Sequence, residues 1–155
     1  MIIRAANPDD GPAMAAILNQ IIAIGGTTAH QAPKPSDAVL HDYVTGPDVL
    51  SCVVAEDVSG VIGWQSVGWW QGEAHIGTFV APEGQAKGIG AGLFAMTCDL
   101  LRQADTKEII ASIRADNAPG LAYYARIGFA NVGFDPDFAL TDGRVVGRVH
   151  RRFEL

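Results

Sequence analysis

Residues 80–93 read VAPEGQAKGIGAGL. An apolar run ends at Ala81-Pro82, and a turn carrying Gly84, Gly88, Gly90 and Gly92 follows. The spacing of Ile89, Leu93, Met96 and Leu100 then marks one face of a helix ending near Gln103 or Ala104. A glycine-rich strand-to-helix turn presents backbone N–H groups at the positive end of a helix, which makes an anion site. The neighbours of this turn decide the fold, and the anion it holds decides the function.

On its N-terminal side, residues 49–58 and 61–70 read as two strands turning at Ser59-Gly60. Residues 74–80 read as a third, after the turn Gln71-Gly72-Glu73. On its C-terminal side, residues 108–115 alternate, with Ile109, Ala111 and Ile113 on one face. Residues 74–115 are therefore strand, glycine turn, helix, strand: a βαβ crossover inside an otherwise antiparallel sheet.

Further out, residues 2–5 form a first strand, and Asn7-Pro8-Asp9-Asp10 starts a helix. Met14, Ile17, Leu18, Ile21 and Ile22 are its buried face and Gly25-Gly26 its end. A polar loop covers 27–35, and Ser36 and Asp37 cap a short helix running to about Thr45. Near the C-terminus, Asn117 caps a helix with Pro119 in its first turn, and Gly128 is its left-handed cap. Strands at 130–138 and 145–153 turn at Asp142-Gly143. The order β α α β β β α β α β β predicts an α+β fold with a mixed, mostly antiparallel sheet and flanking helices, as one domain over 1–155.

Composition agrees with one globular domain: 155 residues, 48% hydrophobic and 18% charged. A formal net charge of −6 argues against nucleic acid as the partner. No apolar run approaches a membrane span, and the N-terminus lacks a signal-peptide pattern. Cys52 and Cys98 lack metal-ligand spacing, so no metal and a reducing, cytoplasmic compartment are expected.

Three anions compete for the turn. A dinucleotide site wants G-x-G-x-x-G and an acid at the end of the next strand. Here Leu93 follows Gly88-Ile89-Gly90 where a small residue belongs, and Glu108 starts its strand. A P-loop wants lysine and a hydroxyl after the last glycine, but Lys87 precedes Gly88. The third reading fits: residues 85–90 are Q-x-x-G-x-G directly after V-x-P and opening a helix. With Asn117, Tyr124, Gly128 and Phe129 in the pattern N-x(6)-Y-x(3)-G-F, the chain resembles the GNAT superfamily of N-acetyltransferases over essentially its whole length.

The resemblance implies a GNAT acyl-CoA N-acyltransferase fold with a splayed parallel strand pair, and acetyl-CoA as cosubstrate. It places the pyrophosphate on the backbone of Gln85, Ala86, Lys87, Gly88, Ile89, Gly90 and Ala91, with Lys87 adding charge. The pantetheine arm would lie between strands 74–80 and 108–115. The Val80 N–H would polarise the thioester carbonyl, Asn117 would orient the pantetheine or a water, and Tyr124 would protonate the leaving thiolate. Tyr123 has the wrong spacing for that role and reads as packing or substrate-side surface. His75 is the favoured general base, with a structural histidine as the other reading and Glu73 as rival. Trp64, Trp69 and Trp70 crowd the acceptor side, as pocket lining or as an exposed or dimer face. Arg114 or Arg144 would grip an acceptor carboxylate or make a surface ion pair, and Asp116 is a strand-end polar group.

Asn19, Thr27-Thr28-Ala29, the VAED-x(2)-GVIGW hairpin and Gly143-Arg144 resemble the phosphinothricin and methionine sulfone acetyltransferase branch, which acts on small amino-acid-like amines. That branch has Glu where this chain has His75. The expected activity is direct acetyl transfer to a small primary amine in a ternary complex, by a homodimer. A peptide or protein N-terminus as acceptor, and a non-catalytic acyl-CoA sensor, are the alternatives.

Overall fold

A computed structural model describes residues 1–84 and 88–155. The chain alternates two ways of hiding apolar surface. Period-two stretches become strands β1 (Ile2–Ala5), β2 (Val49–Asp57), β3 (Gly60–Trp70), β4 (Glu73–Val80), β5 (Glu108–Arg114), β6 (Ala130–Asp135) and β7 (Arg148–Glu154). Stretches with helical spacing become α1 (Gly11–Ile24), α2 (Ser36–Leu40), α3 (Ile89–Gln103) and α4 (Ala118–Arg126). The elements form one α+β sheet-and-helix fold, as the residue pattern predicts.

The strands make one seven-stranded sheet in the order β1-β2-β3-β4-β5-β7-β6. Every neighbouring pair is antiparallel except β4 and β5, which run parallel. Their pairing in register is His75 with Ile110 alone among the described residues. Beyond His75 the two strands part, and the gap between them is where the site forms.

Helices cover both faces. Met14, Leu18, Ile21 and Ile22 of α1 pack with Val54 and Trp64 on one face, and the Trp64 indole donates to the Met14 carbonyl at 3.1 Å. Phe94, Cys98 and Leu101 of α3 and Tyr124 of α4 pack with Val67, Ile109, Ala111 and Ile113 on the other. The buried side of α3 is Ile89, Leu93, Phe94, Thr97, Cys98 and Leu101. Met96 and Leu100, expected on one face with Ile89 and Leu93, are partly buried and pack against the cluster that Ile89 and Leu93 form with Val53 and Ala55. The last hairpin is also shorter than predicted. Residues 136–147 form a loop in which the Val146 and Gly147 amides both donate to the Phe138 carbonyl.

Candidate active site

Alternation along β4 divides the site between two sides of the sheet. Phe79 is in register with Trp64, and His75 with Gly68, so His75, Gly77 and Phe79 face the α1 side. Thr78 is in register with Gln65 and faces α3 and α4. The Ala81 amide donates to the Ile62 carbonyl at 2.9 Å. Successive amides of an antiparallel ladder point to opposite edges, so the Val80 amide is turned toward β5 and the gap.

A single cleft of about 1040 Å³ runs through this gap. At one end it is lined by Gly88, Gly90 and Ala91, in its middle by Val80, Asn117 and Tyr124, and at the other end by His75, Trp69, Trp70 and Arg148. Of the candidates among the described residues, Glu73, Trp64, Asp116, Arg144 and Ile89 do not line it, and the others do. The Ile89 side chain is buried in the core with Val53 and Leu93, which leaves only its backbone for a ligand. Gln85, Ala86 and Lys87 lie outside the described residues.

Gly88 caps α3 with φ +70°, a left-handed conformation open to glycine. The N-terminal turn of α3, the positive end of that helix, borders the cleft through Gly88, Gly90 and Ala91. At Gly90 the reason for glycine is contact: a Cβ there would lie 2.5 Å from the Tyr123 ring. Tyr123 is therefore a packing residue, donating its hydroxyl hydrogen to the Gly90 carbonyl at 2.8 Å.

Tyr124 lines the cleft from α4, with its hydroxyl 2.9 Å from Thr78 Oγ1 and its ring against Phe129. Burial raises its pKa above the ordinary phenol value, so it stays protonated at neutral pH. Asn117 accepts from the Gly120 amide at 3.0 Å, capping α4, and donates to the Thr27 carbonyl at 3.1 Å. It holds the loop after α1 against the cleft as well as starting the helix.

The end of the cleft away from α3 contains both the expected aromatic groups and one unexpected cation. Trp69 and Trp70 line the cleft and are about half exposed, whereas Trp64 is fully buried core. Arg114 makes the ion pair, but from a buried position: it is 5% exposed, forks onto the exposed Asp116 at 2.7 and 2.9 Å, and donates to the Thr28 carbonyl. Its charge is thus matched, and it tethers the same loop as Asn117. Arg144 is exposed, outside the cleft lining. Arg148 instead lies in the cleft, 4.4 Å over the Phe138 ring and 5.9 Å from Trp70. Its Nε is buried with no hydrogen-bond partner among the described residues.

Residues 12–129 match the model of the Acetyltransferase (GNAT) family. The chain belongs to the GNAT acetyltransferase family. It is 26% identical over 151 residues to the "Putative phosphinothricin acetyltransferase YwnH" of Bacillus subtilis, covering 93% of both chains. It is 32% identical over 94 residues to the mycothiol acetyltransferase of Clavibacter sepedonicus, a match covering 59% of this chain and 31% of that protein. The chain thus spans about a third of the length of the mycothiol acetyltransferases it matches. The phosphinothricin acetyltransferase of Sinorhizobium meliloti, solved with acetyl-CoA bound, superposes with a TM-score of 0.82 at 20% identity, over 99% of this chain and 88% of that one. The GNAT fold is therefore that of the structure as well as of the sequence motifs.

His75 lines this GNAT cleft at the end away from the α3 terminus. Its Nε2 lies 3.6 Å from Glu73 Oε1, longer than a hydrogen bond, and has no other partner among the described residues. Its ring meets Trp70 edge-on at 5.2 Å. Burial lowers its pKa below the ordinary 6.5, outweighing the opposing pull of Glu73, and Arg148 and His150 lower it further. A lowered pKa leaves the imidazole neutral at pH 7, the form that accepts a proton. If His75 is the base, activity is lost as pH falls through that lowered value, so the acidic limb lies below 6.5. His75→Gln is expected to abolish that limb and to reduce kcat at pH 7 by about 10- to 100-fold. An unchanged pH–rate profile would remove His75 from the chemistry.

The sequence reading missed Arg148, Gln65 and Thr78. Arg148 hides in the run RVHRR of an edge-proximal strand, where a solvated charge is the ordinary reading. Only its register opposite Arg114 places it at the cleft.

Proposed function

We propose that this GNAT acetyltransferase moves the acetyl group of acetyl-CoA to the primary amine of a small molecule, by direct attack in a ternary complex. The observation that carries the reading is the continuous cleft between β4 and β5, with helix-end amides at one end and a cationic aromatic pocket at the other. In this reading Gly88, Gly90, Ala91 and the Ile89 backbone hold the pyrophosphate, together with Gln85, Ala86 and Lys87. The pantetheine arm lies between the parting strands and passes Asn117. The Val80 amide, turned into the gap, polarises the thioester carbonyl as negative charge develops on its oxygen. The amine enters from the His75 side of the sheet and gives up its proton there. Tyr124, on the opposite side, supplies a proton to the departing sulfur.

Direct attack is supported by the state of both cysteines. Burial pushes the Cys52 thiol up to about 12 and raises that of Cys98, so neither is a ready thiolate for an acetyl-enzyme. A small acceptor carrying a carboxylate is supported by Arg148, whose guanidinium faces the cleft between two aromatic rings with a donor to spare.

The test is release of free thiol from acetyl-CoA against a panel of amino acids, amino-acid analogues, polyamines, aminoglycosides and peptides with free N-termini. At least one small carboxylate-bearing amine is expected to turn over with higher kcat/KM than its carboxamide. Turnover confined to peptides would make the acceptor a polypeptide N-terminus. Binding of acetyl-CoA with no turnover on any amine would make the domain a sensor.

A further inference from the structure

A polar side chain sits where the β3 pattern calls for core. Gln65 is fully buried beneath α3 and α4, with Oε1 lacking a hydrogen-bond partner among the described residues. Its Nε2 lies 2.9 Å from Thr78 Oγ1 and 3.1 Å from Tyr123 Oη. The direction of these bonds is set at their far end. Tyr123 spends its one hydroxyl hydrogen on the Gly90 carbonyl, so its oxygen meets Gln65 only as acceptor. The amide must therefore present its nitrogen, and its second hydrogen goes to Thr78 Oγ1. Thr78 Oγ1 and Tyr124 Oη lie 2.9 Å apart, and either hydroxyl can donate to the other. With Thr78 as the donor, Tyr124 accepts inside the protein and its own proton is left for the cleft it lines.

We infer that Gln65 and Thr78 are positioning residues that aim the Tyr124 proton into the cleft, toward the sulfur that leaves. The inference rests on the reading of Tyr124 as general acid. In the step it serves, the amine nitrogen forms its bond to the thioester carbonyl carbon and the C–S bond breaks. The bonding pair goes to sulfur, and the Tyr124 proton follows it to give the free thiol. The amine proton leaves on the His75 side, and solvent returns a proton to the phenolate. The chain of bonds begins at Gly90, in the first turn of α3, so the helix end that meets the anion and the hydroxyl that meets the sulfur are held by one network.

The experiment needs no acceptor. Coenzyme A is bound to the full chain and its thiol titrated by thiolate ultraviolet absorbance, with desulfo-coenzyme A as the matched blank for the protein's own phenols. A phenol proton aimed at sulfur stabilises the thiolate, so the bound thiol should ionise at lower pH in the wild type than in Tyr124→Phe. Gln65→Met and Thr78→Val should recover more than half of that difference, with coenzyme A affinity within about twofold of wild type. Thr78→Ser, which keeps the hydroxyl, should titrate like the wild type. If Tyr124→Phe moves the titration and neither Gln65→Met nor Thr78→Val does, the positioning role is overturned and the acid role stands. If Tyr124→Phe moves nothing, both are overturned. Should Gln65→Met fail to fold, the Thr78→Val and Thr78→Ser pair gives the same decision.

Discussion

Replacing Tyr124 with Phe is expected to lower kcat by about 10²- to 10⁴-fold, the range supplied by a positioned general acid. The ring that packs against Phe129 and Tyr123 is kept, so the fold should survive. What disappears is the hydroxyl at 2.9 Å from Thr78, and with it the proton proposed for the leaving sulfur. The pyrophosphate end of the cleft is untouched, so the dissociation constant for acetyl-CoA should change by less than about threefold. A steady-state assay with a direct binding measurement separates the two effects. An unchanged kcat would take Tyr124 out of the chemistry, and a large loss of affinity with normal kcat would make it a binding residue.

The second large effect concerns stability. Trp64→Ala is expected to destabilise the protein by about 3–5 kcal/mol, the usual result of truncating a fully buried aromatic side chain. Trp64 is wholly buried, stacks at 4.4 Å on Phe79, meets Tyr43 at 4.9 Å, and is tied to the Met14 carbonyl of α1. It therefore joins α1 and the segment after α2 to the centre of the sheet. A domain of this size has about 5–15 kcal/mol in total, so the loss is a large share. Urea unfolding should give a lower midpoint with an unchanged slope. A change under about 1 kcal/mol would contradict the packing described here. Trp69→Ala, at an exposed position, should cost far less.

The contrast between these tryptophans illustrates what is legible in the residues alone. The βαβ crossover is legible because strand, glycine turn and helix each carry a strong local signal. Glycine at the turn has two separate reasons: Gly88 takes φ +70°, and a Cβ at Gly90 would meet the Tyr123 ring. Tyr124 is legible through its fixed spacing from Gly128-Phe129. The three tryptophans share one strand and no local feature sorts them; register with β4 does, placing Trp64 opposite Phe79 and Trp70 opposite Glu73. Arg114 and Arg148 are a similar case. As letters, both are strand arginines, yet Asp116 two residues away neutralises one and leaves the other facing the cleft. In helix α3 the predicted stripe of Ile89, Leu93, Met96 and Leu100 packs against Val53 and Ala55, and Phe94, Cys98 and Leu101 widen the buried side beyond that stripe. The final hairpin falls short because loop 136–147 delivers Phe138 over Arg148 instead of continuing the ladder.

The central claim is that the gap between β4 and β5 holds acetyl-CoA, and thermal unfolding with and without that ligand tests it most directly. At a hundredfold excess over the dissociation constant, binding to the folded state alone adds about 2.7 kcal/mol. For a domain of this length, that corresponds to a rise in Tm of about 5–10 °C. Such a rise, absent with adenosine alone, is the predicted result. An unchanged Tm at saturating acetyl-CoA would contradict the account from the glycine turn onward.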